Sequence, residues 1–341
     1  VTIKKNNNII GLDIGYRNTK ATAGKTSICF PSVEGYPEEI KYEGGILNNG
    51  AGPSSVQNIK LITDKGLRFI GDLALKQSKI WWTPQQRDRS SKSDIVLNLA
   101  LAAISELGLS GEIKIVTGLP PDWFEENDRQ ALRKKLLGEH VIRREGVTEV
   151  KIDVTEIEVK PQPFGTFYRQ MLTAENGKVK VKDRSLANVR VGLIDVGGHT
   201  TDLSLSDQMT YLNNASGSIE YGMSDVYDQI IKAIKREFRT TIDAFEAEQV
   251  LRSETIRIQG KPHKIGKLID AILDVAINPV RDKAIALWGD GNLIDVVLGT
   301  GGGAPDLLPL LMDTYPHLTI VENSVLANAQ GFYLFGSLKW Q

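Results

Sequence analysis

The sequence predicts an α/β protein of two domains, each a mixed sheet flanked by helices on both faces and carrying a smaller inserted subdomain. Three observations support that fold class. The chain has 341 residues, enough for two full hydrophobic cores. Short apolar runs bounded by glycine alternate with stretches of helical periodicity. One strand–turn–strand layout occurs twice, about half a chain apart.

The second copy is the fuller one. Val191 to Ile194 reads as a buried strand ending at Asp195; the chain turns on Gly197-Gly198 and resumes as a strand through Leu203-Ser204-Leu205. Such a hairpin tip offers backbone N–H groups, and its glycines let a bulky anion approach them. A carboxylate beside an anion-binding turn calls for a cation in the same place, and Mg²⁺ on a nucleotide phosphate meets that need. The first copy, Ile9 to Lys20, repeats the spacing, with Asp13, Gly15 and Thr19 matching Asp195, Gly197 and Thr201. Two such acid-tipped hairpins suggest duplicated halves that grip phosphates from two sides.

With these motifs the chain resembles the actin-like ATPases of the actin, sugar kinase and heat-shock chaperone superfamily, whose domains are ribonuclease H-like. Residues 11–20 look like its first phosphate motif and 192–202 like its second, while Gly299-Thr-Gly-Gly-Gly-Ala304 looks like its adenosine motif. Within the superfamily the chain is most similar to the ParM (StbA) plasmid-segregation actins. The features that carry this are Gly-Leu-Asp-Ile-Gly-x-x-Asn-Thr-Lys, Phe30-Pro-Ser32, Val116-Thr-Gly-Leu-Pro120 and Ala327-Asn-Ala-Gln-Gly-Phe332.

The resemblance implies a nucleotide cleft between the domains that takes ATP or ADP with Mg²⁺, GTP remaining open. Gly15, Tyr16, Arg17, Asn18, Thr19 and Lys20 from one side, and Gly197, Gly198, His199, Thr200 and Thr201 from the other, would hold the β- and γ-phosphates. Asp13 and Asp195 would fix Mg²⁺, mostly through its waters, and Gly301, Gly302, Gly303 and Ala304 would face the adenosine. It implies domain I over residues 1–162, with a small subdomain about 33–75 and helix 324–341 packing back on it. Domain II would span 163–323, with a small subdomain about 223–292. ATP would close the cleft and favour filament assembly, and hydrolysis would favour disassembly. Filaments of the chain itself would then move plasmid DNA through a separate DNA-bound adaptor of the ParR type.

Composition fits this reading and excludes others. Net charge is −1, so no global field draws the chain to nucleic acid or to a membrane surface. A single cysteine rules out an intramolecular disulfide and suits a reducing compartment. No apolar run approaches the ~18 residues of a membrane span. Val1 to Asn8 is polar, without the apolar core of a signal peptide or an amphipathic anchor, so a cytoplasmic location is expected.

Taken in order, Ile9 to Ser32 reads as a meander with Lys25 to Phe30 as its third strand. Ala23-Gly-Lys-Thr26 is not a P-loop, because Thr19 stands where the first glycine must be. Residues 34–58 are rich in Gly, Asn, Pro and Ser and read as a loop or subdomain edge. Leu67 to Ala74 resembles the strand leading back from the family's small upper subdomain, a region that fits a filament contact and a plain surface excursion equally. Trp81-Trp82, before the charged stretch Gln85 to Ser93, fit partial core burial better than a docking site.

A buried helix follows from Asp94, with Ser93 as its cap and Gly108 as its stop. Ile113 to Pro121 reads as a strand closed by proline, followed by a helix from Asp122 to about Leu137. Val154 to Val159 alternates and leads into Pro161-Gln-Pro-Phe. In actins a Gln at the start of this interdomain helix, six residues before a Tyr, orients the attacking water; Gln162 and Tyr168 keep that spacing, where many ParM proteins carry Glu. An amide is no strong base, but it can hold water in line with a γ-phosphate. Residues 173–185 read as a connecting hairpin or loop.

After the second motif, helices are expected at about Ser224–Arg239 and Ile242–Ser253; the second resembles the helix that supplies actin's Lys-Glu pair beside adenine, with Arg252 and Glu254 nearest in type. Lys261 to Lys267 reads as a solvated hairpin tip, and the histidines lack zinc-ligand spacing. Asp295 to Ala304, before a helix from Asp306 to Tyr315, also satisfies the Gly-x-Gly-x-x-Ala pattern of a dinucleotide fold, with Glu322 where the ribose acid would stand. That rival leaves the duplicated Asp-x-Gly hairpins without a purpose. The last helix, Ser324 to Phe335, resembles the family's second interdomain helix. A small-molecule kinase on the same fold is the alternative function; it needs a further cleft Asp as base for a substrate hydroxyl, and the sequence offers no clear one. A chaperone ATPase is not the expectation, since no substrate-binding domain is read in these residues.

Overall fold

The computed structural model of the chain describes residues 8–40, 58–84, 94–143, 149–175 and 177–340. The expected cap Ser93, the charged stretch 85–93, most of the loop 34–58 and the first seven residues lie outside the described ones. The chain divides into two compact units, Val1–Arg184 with Leu326–Gln341, and Ser185–Val325.

The main sheet of the first unit combines β1 (Asn8–Ile14), β2 (Asn18–Ala23) and β3 (Thr26–Pro31) with three later strands. A small sheet interrupts it: β4 (Glu34–Gly35), β5 (Ile59–Thr63), β6 (Gly66–Ile70), helix α1 (Asp72–Gln77) and β7 (Trp81–Trp82). Then come α2 (Ile95–Glu106), β8 (Gly111–Leu119), α3 (Glu126–Leu136), β9 (Gly138–Ile142) and β10 (Val150–Pro161). The unit continues with α4 (Phe164–Met171) and the hairpin β11 (Leu172–Glu175)–β12 (Lys178–Val181). The six-stranded order is β3-β2-β1-β8-β10-β9, with β1 antiparallel to β2 and parallel to β8.

Side chains alternate along a strand, so β1 serves two layers. Ile10, Leu12 and Ile14 join the core cluster that holds Leu99, Ala102 and Ala103 of α2. Gly11, on the other face, lies against the backbone of the C-terminal helix at Ala329 and Tyr333. The small sheet, ordered β5-β6-β4-β7, leaves Trp82 packed on the main core, as expected, and its strand neighbour Trp81 47% exposed.

The second unit repeats the plan with β13 (Arg190–Val196), β14 (Thr201–Asp207), β15 (Thr210–Tyr211) and β16 (Gly217–Ile219). Its inserted part follows: α5 (Met223–Phe238), α6 (Ala244–Ser253), the hairpin β17 (Thr255–Ile258)–β18 (Lys261–Lys264), α7 (Gly266–Ala276) and α8 (Asn278–Trp288). The chain then returns through β19 (Val296–Thr300), α9 (Ala304–Leu307) and β20 (Leu318–Ile320). The sheet runs β15-β14-β13-β19-β20, with β16 on the free side of β14. Each unit therefore pairs a hairpin strand in parallel with the next strand inward, β1 with β8 and β13 with β19, and a further parallel strand follows, β10 and β20. The duplication legible in the two hairpins extends across both sheets.

The final helix, α10 (Ala327–Lys339), belongs to the first unit and crosses α4. A Cβ on Gly331 would fall 1.6 Å from the Gly165 carbonyl oxygen, so the two backbones touch. That crossing puts residues 163–184 in the first unit, and the boundary falls after Arg184 rather than after Gln162.

Gly108, in left-handed geometry with φ 69°, stops α2 as expected. Asp243 caps α6 by accepting the Glu246 N–H, with Glu246 reaching back to the Asp243 N–H. Three expected helices start later or end sooner. The one after Pro120 opens as a 3₁₀ turn, Pro121–Trp123, before α3. α10 begins at Ala327 rather than Ser324. The helix expected from Asp306 to Tyr315 is only the α9 turn followed by the 3₁₀ turn Leu308–Leu311. Pro309 has no N–H to give an α-helical ladder and its ring crowds the preceding turn.

Candidate functional site

In the first unit β1 carries Asp13 to the sheet end, directly opposite Lys20 on β2, with Ile14 opposite Thr19. The Gly15 N–H closes the turn on the Asn18 carbonyl at 3.0 Å. Ser32, from the Phe-Pro-Ser segment, braces this turn from the side: its hydroxyl meets that of Thr19 at 2.9 Å and its N–H donates to the Arg17 carbonyl at 2.8 Å.

Asp13 is 2% exposed, and both of its oxygens are engaged. Lys20 Nζ donates to Oδ2 at 3.1 Å and Gln162 Nε2 donates to Oδ1 at 2.8 Å. Gln162 is held just past β10, where its backbone N–H donates to the Leu119 carbonyl at 2.8 Å. A Cβ at Gly118 would come within 2.8 Å of the Gln162 Cα, so the Thr-Gly-Leu-Pro segment makes room for that residue. The Gln162 amide N–H is thus turned to Asp13. Tyr168, six residues on, stacks on Phe335 of α10 at 4.6 Å, and burial holds its phenol well above the usual range. It is a packing residue.

The second hairpin copies the first in register. Asp195 stands opposite Asp202 and Val196 opposite Thr201, and the Gly197 N–H closes the turn on the Thr200 carbonyl at 2.9 Å. One substitution changes the electrostatics: the position taken by Lys20 in the first copy is Asp202 here. The first hairpin neutralises its acid internally. The second sets two acids, 6% and 4% exposed, on one face of adjacent strands, and Ser218 Oγ donates to Asp202 Oδ1 at 2.5 Å.

Opposed, nearly buried carboxylates favour a shared cation or proton. Among the described residues no three His, Cys, Asp or Glu side chains gather as a metal cage. A pair of acids without a cage fits Mg²⁺, which brings its own waters and binds through few protein ligands.

The tip of this hairpin is clamped by the start of α5. The N–H groups of Met223 and Ser224 donate to the carbonyls of Gly197 at 3.1 Å and Gly198 at 2.7 Å, and Thr201 Oγ1 donates to the Tyr221 carbonyl at 2.9 Å. His199 is exposed at the apex while Thr200 is buried beside it.

Gly301 adjoins the same acid. Its φ is 91°, and a Cβ there would lie 2.3 Å from the Val196 carbonyl oxygen and 2.4 Å from Asp195 Oδ1. Only glycine satisfies both conditions. The Gly303 N–H donates to the Val196 carbonyl at 3.1 Å, so the glycine loop after β19 and the second hairpin form one surface. Gly302 faces open space.

Ala304 is fully buried under this loop, and Asp306 follows half-buried on α9. Burial pushes the Asp306 carboxyl up; Arg252 of α6 opposes that shift and Glu248 adds to it. Arg252 Nη2 donates to Glu248 Oε1 at 2.6 Å, an i,i+4 pair. The sequence points to Arg252 and Glu254 as the pair. Glu254 instead takes the left-handed position after α6, φ 50°, with its carboxylate against Gly266. It lines a cavity of about 730 Å³ with Lys264 and Lys267, away from the three glycine motifs.

The sequence reading does not single out Asp202, which the strand register sets opposite Asp195. Asp202 can be found by counting seven residues from Asp195, the offset that joins Asp13 to Lys20. Glu248 lies one helical turn before Arg252. The Lys25 turn, which fails as a P-loop, is a tight connection between β2 and β3 with Gly24 at φ 60°.

Residues 11–165 match the family model described as the N-terminal domain of actin-like proteins, and residues 193–313 match the model of the archaeal actin homologue MreB-like C-terminal domain. No curated protein matches the chain. Among solved structures, the archaeal actin homologue Ta0583 is similar with a TM-score of 0.79 at 21% identity, over 97% of this chain and 99% of that one; it has also been solved in complex with ADP. The pCBH ParM non-polymerisable quadruple mutant gives 0.73 at 22%, over 97% and 99%. A 15-stranded ParM filament from Clostridium botulinum gives 0.75 at 22%, over 98% and 99%. At these identities the likeness is one of fold.

Proposed function

The chain is an actin-like protein in both of its halves, and from that premise we propose that it binds and hydrolyses ATP with Mg²⁺ and polymerises under the control of that cycle. The observation that carries the reading is the register-for-register repetition of the two Asp-x-Gly hairpins. In this reading both hairpins bind the phosphates of one nucleotide. Lys20 and the backbone amides at the two hairpin tips, residues 16–18 and 198–200, hold the β- and γ-oxygens, while the Gly15 and Gly197 amides close the turns; each charge-assisted bond is worth about 1.5–3 kcal/mol. Asp195 and Asp13, with Asp202 opposite Asp195, would hold Mg²⁺ through its waters. Gly301 to Ala304 face the nucleoside.

Mg²⁺, when bound, supplies charge neutralisation on the phosphates. The protein's own groups do the rest. Gln162, fixed by its bond to Asp13, turns its carbonyl oxygen to a water and orients it. Asp13 takes the role of holding Gln162 and Lys20 in place. Ligands from both halves make the triphosphate state and the diphosphate state differ in conformational preference, and that difference is the switch for assembly. The ParM filament among the similar structures supports self-assembly. By the same resemblance the chain works in the cytoplasm, pulling plasmid DNA through a ParR-type adaptor without touching DNA or membrane itself.

The test is light scattering together with phosphate release on adding ATP and Mg²⁺. Scattering that rises with ATP and decays as phosphate appears supports the reading. A chain that stays monomeric, or that transfers the phosphoryl group to a sugar, overturns it in favour of the kinase alternative. Asp195→Ala should remove Mg²⁺-dependent turnover.

A further inference from the structure

The two hairpins share a second feature besides their register. In each, carbonyls at the tip accept hydrogen bonds from the segment that opens the inserted part of the same unit. In the first unit the Ser32 N–H donates to the Arg17 carbonyl at 2.8 Å, and β4 begins at Glu34. In the second, the first N–H groups of the 16-residue helix α5, those of Met223 and Ser224, donate to the carbonyls of Gly197 at 3.1 Å and Gly198 at 2.7 Å. The matching threonines are tied to the same segments: the Thr19 hydroxyl meets that of Ser32, and the Thr201 hydroxyl donates to the Tyr221 carbonyl. The second brace needs a glycine, since a Cβ on Gly222 would lie 2.8 Å from the carbonyl oxygens of Gly197 and Gly198.

A peptide unit is planar and, throughout the described residues, trans, so its C=O and N–H point in opposite directions. A carbonyl pinned by an outside donor therefore fixes the direction of the next residue's N–H. The Arg17, Gly197 and Gly198 carbonyls share their peptide units with the N–H groups of Asn18, Gly198 and His199. We infer that Ser32, Met223 and Ser224 are positioning residues, whose main-chain N–H groups aim those amides at the phosphates. This rests on the nucleotide-binding reading above and deepens it by naming what holds the anion-binding backbone in shape. A hairpin tip left to itself samples many orientations, and amides aimed in advance lose less freedom when the anion arrives. Polarisation works in the same direction. The start of α5 is the positive end of its helix dipole, and a hydrogen-bonded peptide unit passes that polarisation to its own N–H. The helix thus acts on the anion through one intervening peptide, with its first donors already satisfied by the hairpin.

Proline can delete one of these donors. Ser224 is the second residue of α5, and the chain already carries proline at the second residue of α8, Pro279, and of α9, Pro305. Ser224→Pro removes the N–H that holds the Gly198 carbonyl, whereas Ser224→Ala keeps it. Calorimetric titration of the full chain with ATP and Mg²⁺ should show Ser224→Pro binding about tenfold more weakly than Ser224→Ala. Steady-state phosphate release should show KM raised by about the same factor, with kcat reduced by less. Gly222→Ala pushes the start of α5 off the hairpin and deletes no hydrogen-bonding group. It should weaken ATP binding and raise KM relative to the natural protein in the same way, and it carries the test should Ser224→Pro not fold. A kcat that falls at unchanged KM in these variants means only fewer folded molecules and overturns the aiming role, as does equal ATP affinity in Ser224→Pro and Ser224→Ala. Either result leaves nucleotide binding by the natural protein intact. A natural protein that binds no ATP overturns the nucleotide reading, and this assignment with it.

Discussion

Residue by residue, the two hairpins differ most in charge, and that difference has measurable consequences. Asp13 is tied by Lys20 and Gln162, whereas Asp195 faces Asp202. Truncating Gln162 leaves the hairpin backbone untouched but removes the amide oxygen that the proposed mechanism uses to orient water. Gln162→Ala should therefore slow phosphate release at least about tenfold with nucleotide affinity nearly unchanged; single-turnover kinetics with unaltered rates would remove Gln162 from the chemistry. Asp202→Asn keeps the Ser218 hydrogen bond in reach and the side-chain volume, yet cancels one charge beside Asp195. It should raise the Mg²⁺ concentration needed for half-maximal turnover several-fold and leave the maximal rate within a small factor. A Mg²⁺ titration that superimposes on the natural protein's would make Asp202 structural. The Asp-x-Gly spacing makes Asp13, Asp195 and both turns legible from the sequence. Asp202 is harder to see because its identity departs from the first copy; the seven-residue offset from Asp195 points to it, and the strand register sets the two opposite each other.

Among the helices and sheets, glycine contacts and a buried acid govern how parts of the first unit hold together. α4 and α10 approach through Gly165 and Gly331, where any Cβ collides with backbone. Gly331→Ala must push the helices apart and should cost ~3 kcal/mol or more, read as a fall in the unfolding midpoint. The contact joins residues 166 positions apart (331 minus 165), and no local pattern marks it. That is the physical reason the sequence places the domain boundary at Gln162: propensity and periodicity describe neighbours along the chain, and this contact is not between neighbours. The short α9 is legible in retrospect, since Pro309 forbids the ladder of a long helix.

The small sheet is tied to α2 by Glu34, whose oxygens accept from Arg68 Nε at 3.1 Å and from Asn98 Nδ2 at 3.1 Å. Burial outweighs these partners and pushes the Glu34 carboxyl above its ordinary 4.5, with Asp94 adding to the rise. A raised carboxylate binds its proton more tightly in the folded state. Its contribution to stability is therefore complete below about 4.5 and is lost as pH rises through the folded value. Relative to Glu34→Gln, which cannot ionise, the natural protein should lose stability on going upward from that pH. Parallel denaturation curves for the two across this window would show that Glu34 is not the group responsible.

For the whole molecule, the chemistry of the hairpins has to meet the chain's capacity to assemble. With a net charge of −1, copies of the chain would meet with little electrostatic repulsion, so in the proposed reading the nucleotide rather than charge decides when they associate. If the triphosphate form assembles and hydrolysis dissolves it, the lifetime of filaments is set by the rate at which Gln162 positions water. Gln162→Ala should then nucleate with ATP and Mg²⁺ as readily as the natural protein, yet persist longer by about the same factor by which its phosphate release slows. Light scattering and phosphate release followed in one sample give both numbers. A variant that hydrolyses slowly but disassembles at the natural rate would uncouple the cycle from assembly. In that case nucleotide binding alone, through the two registered hairpins, would be the switch, and disassembly would follow nucleotide exchange rather than bond cleavage.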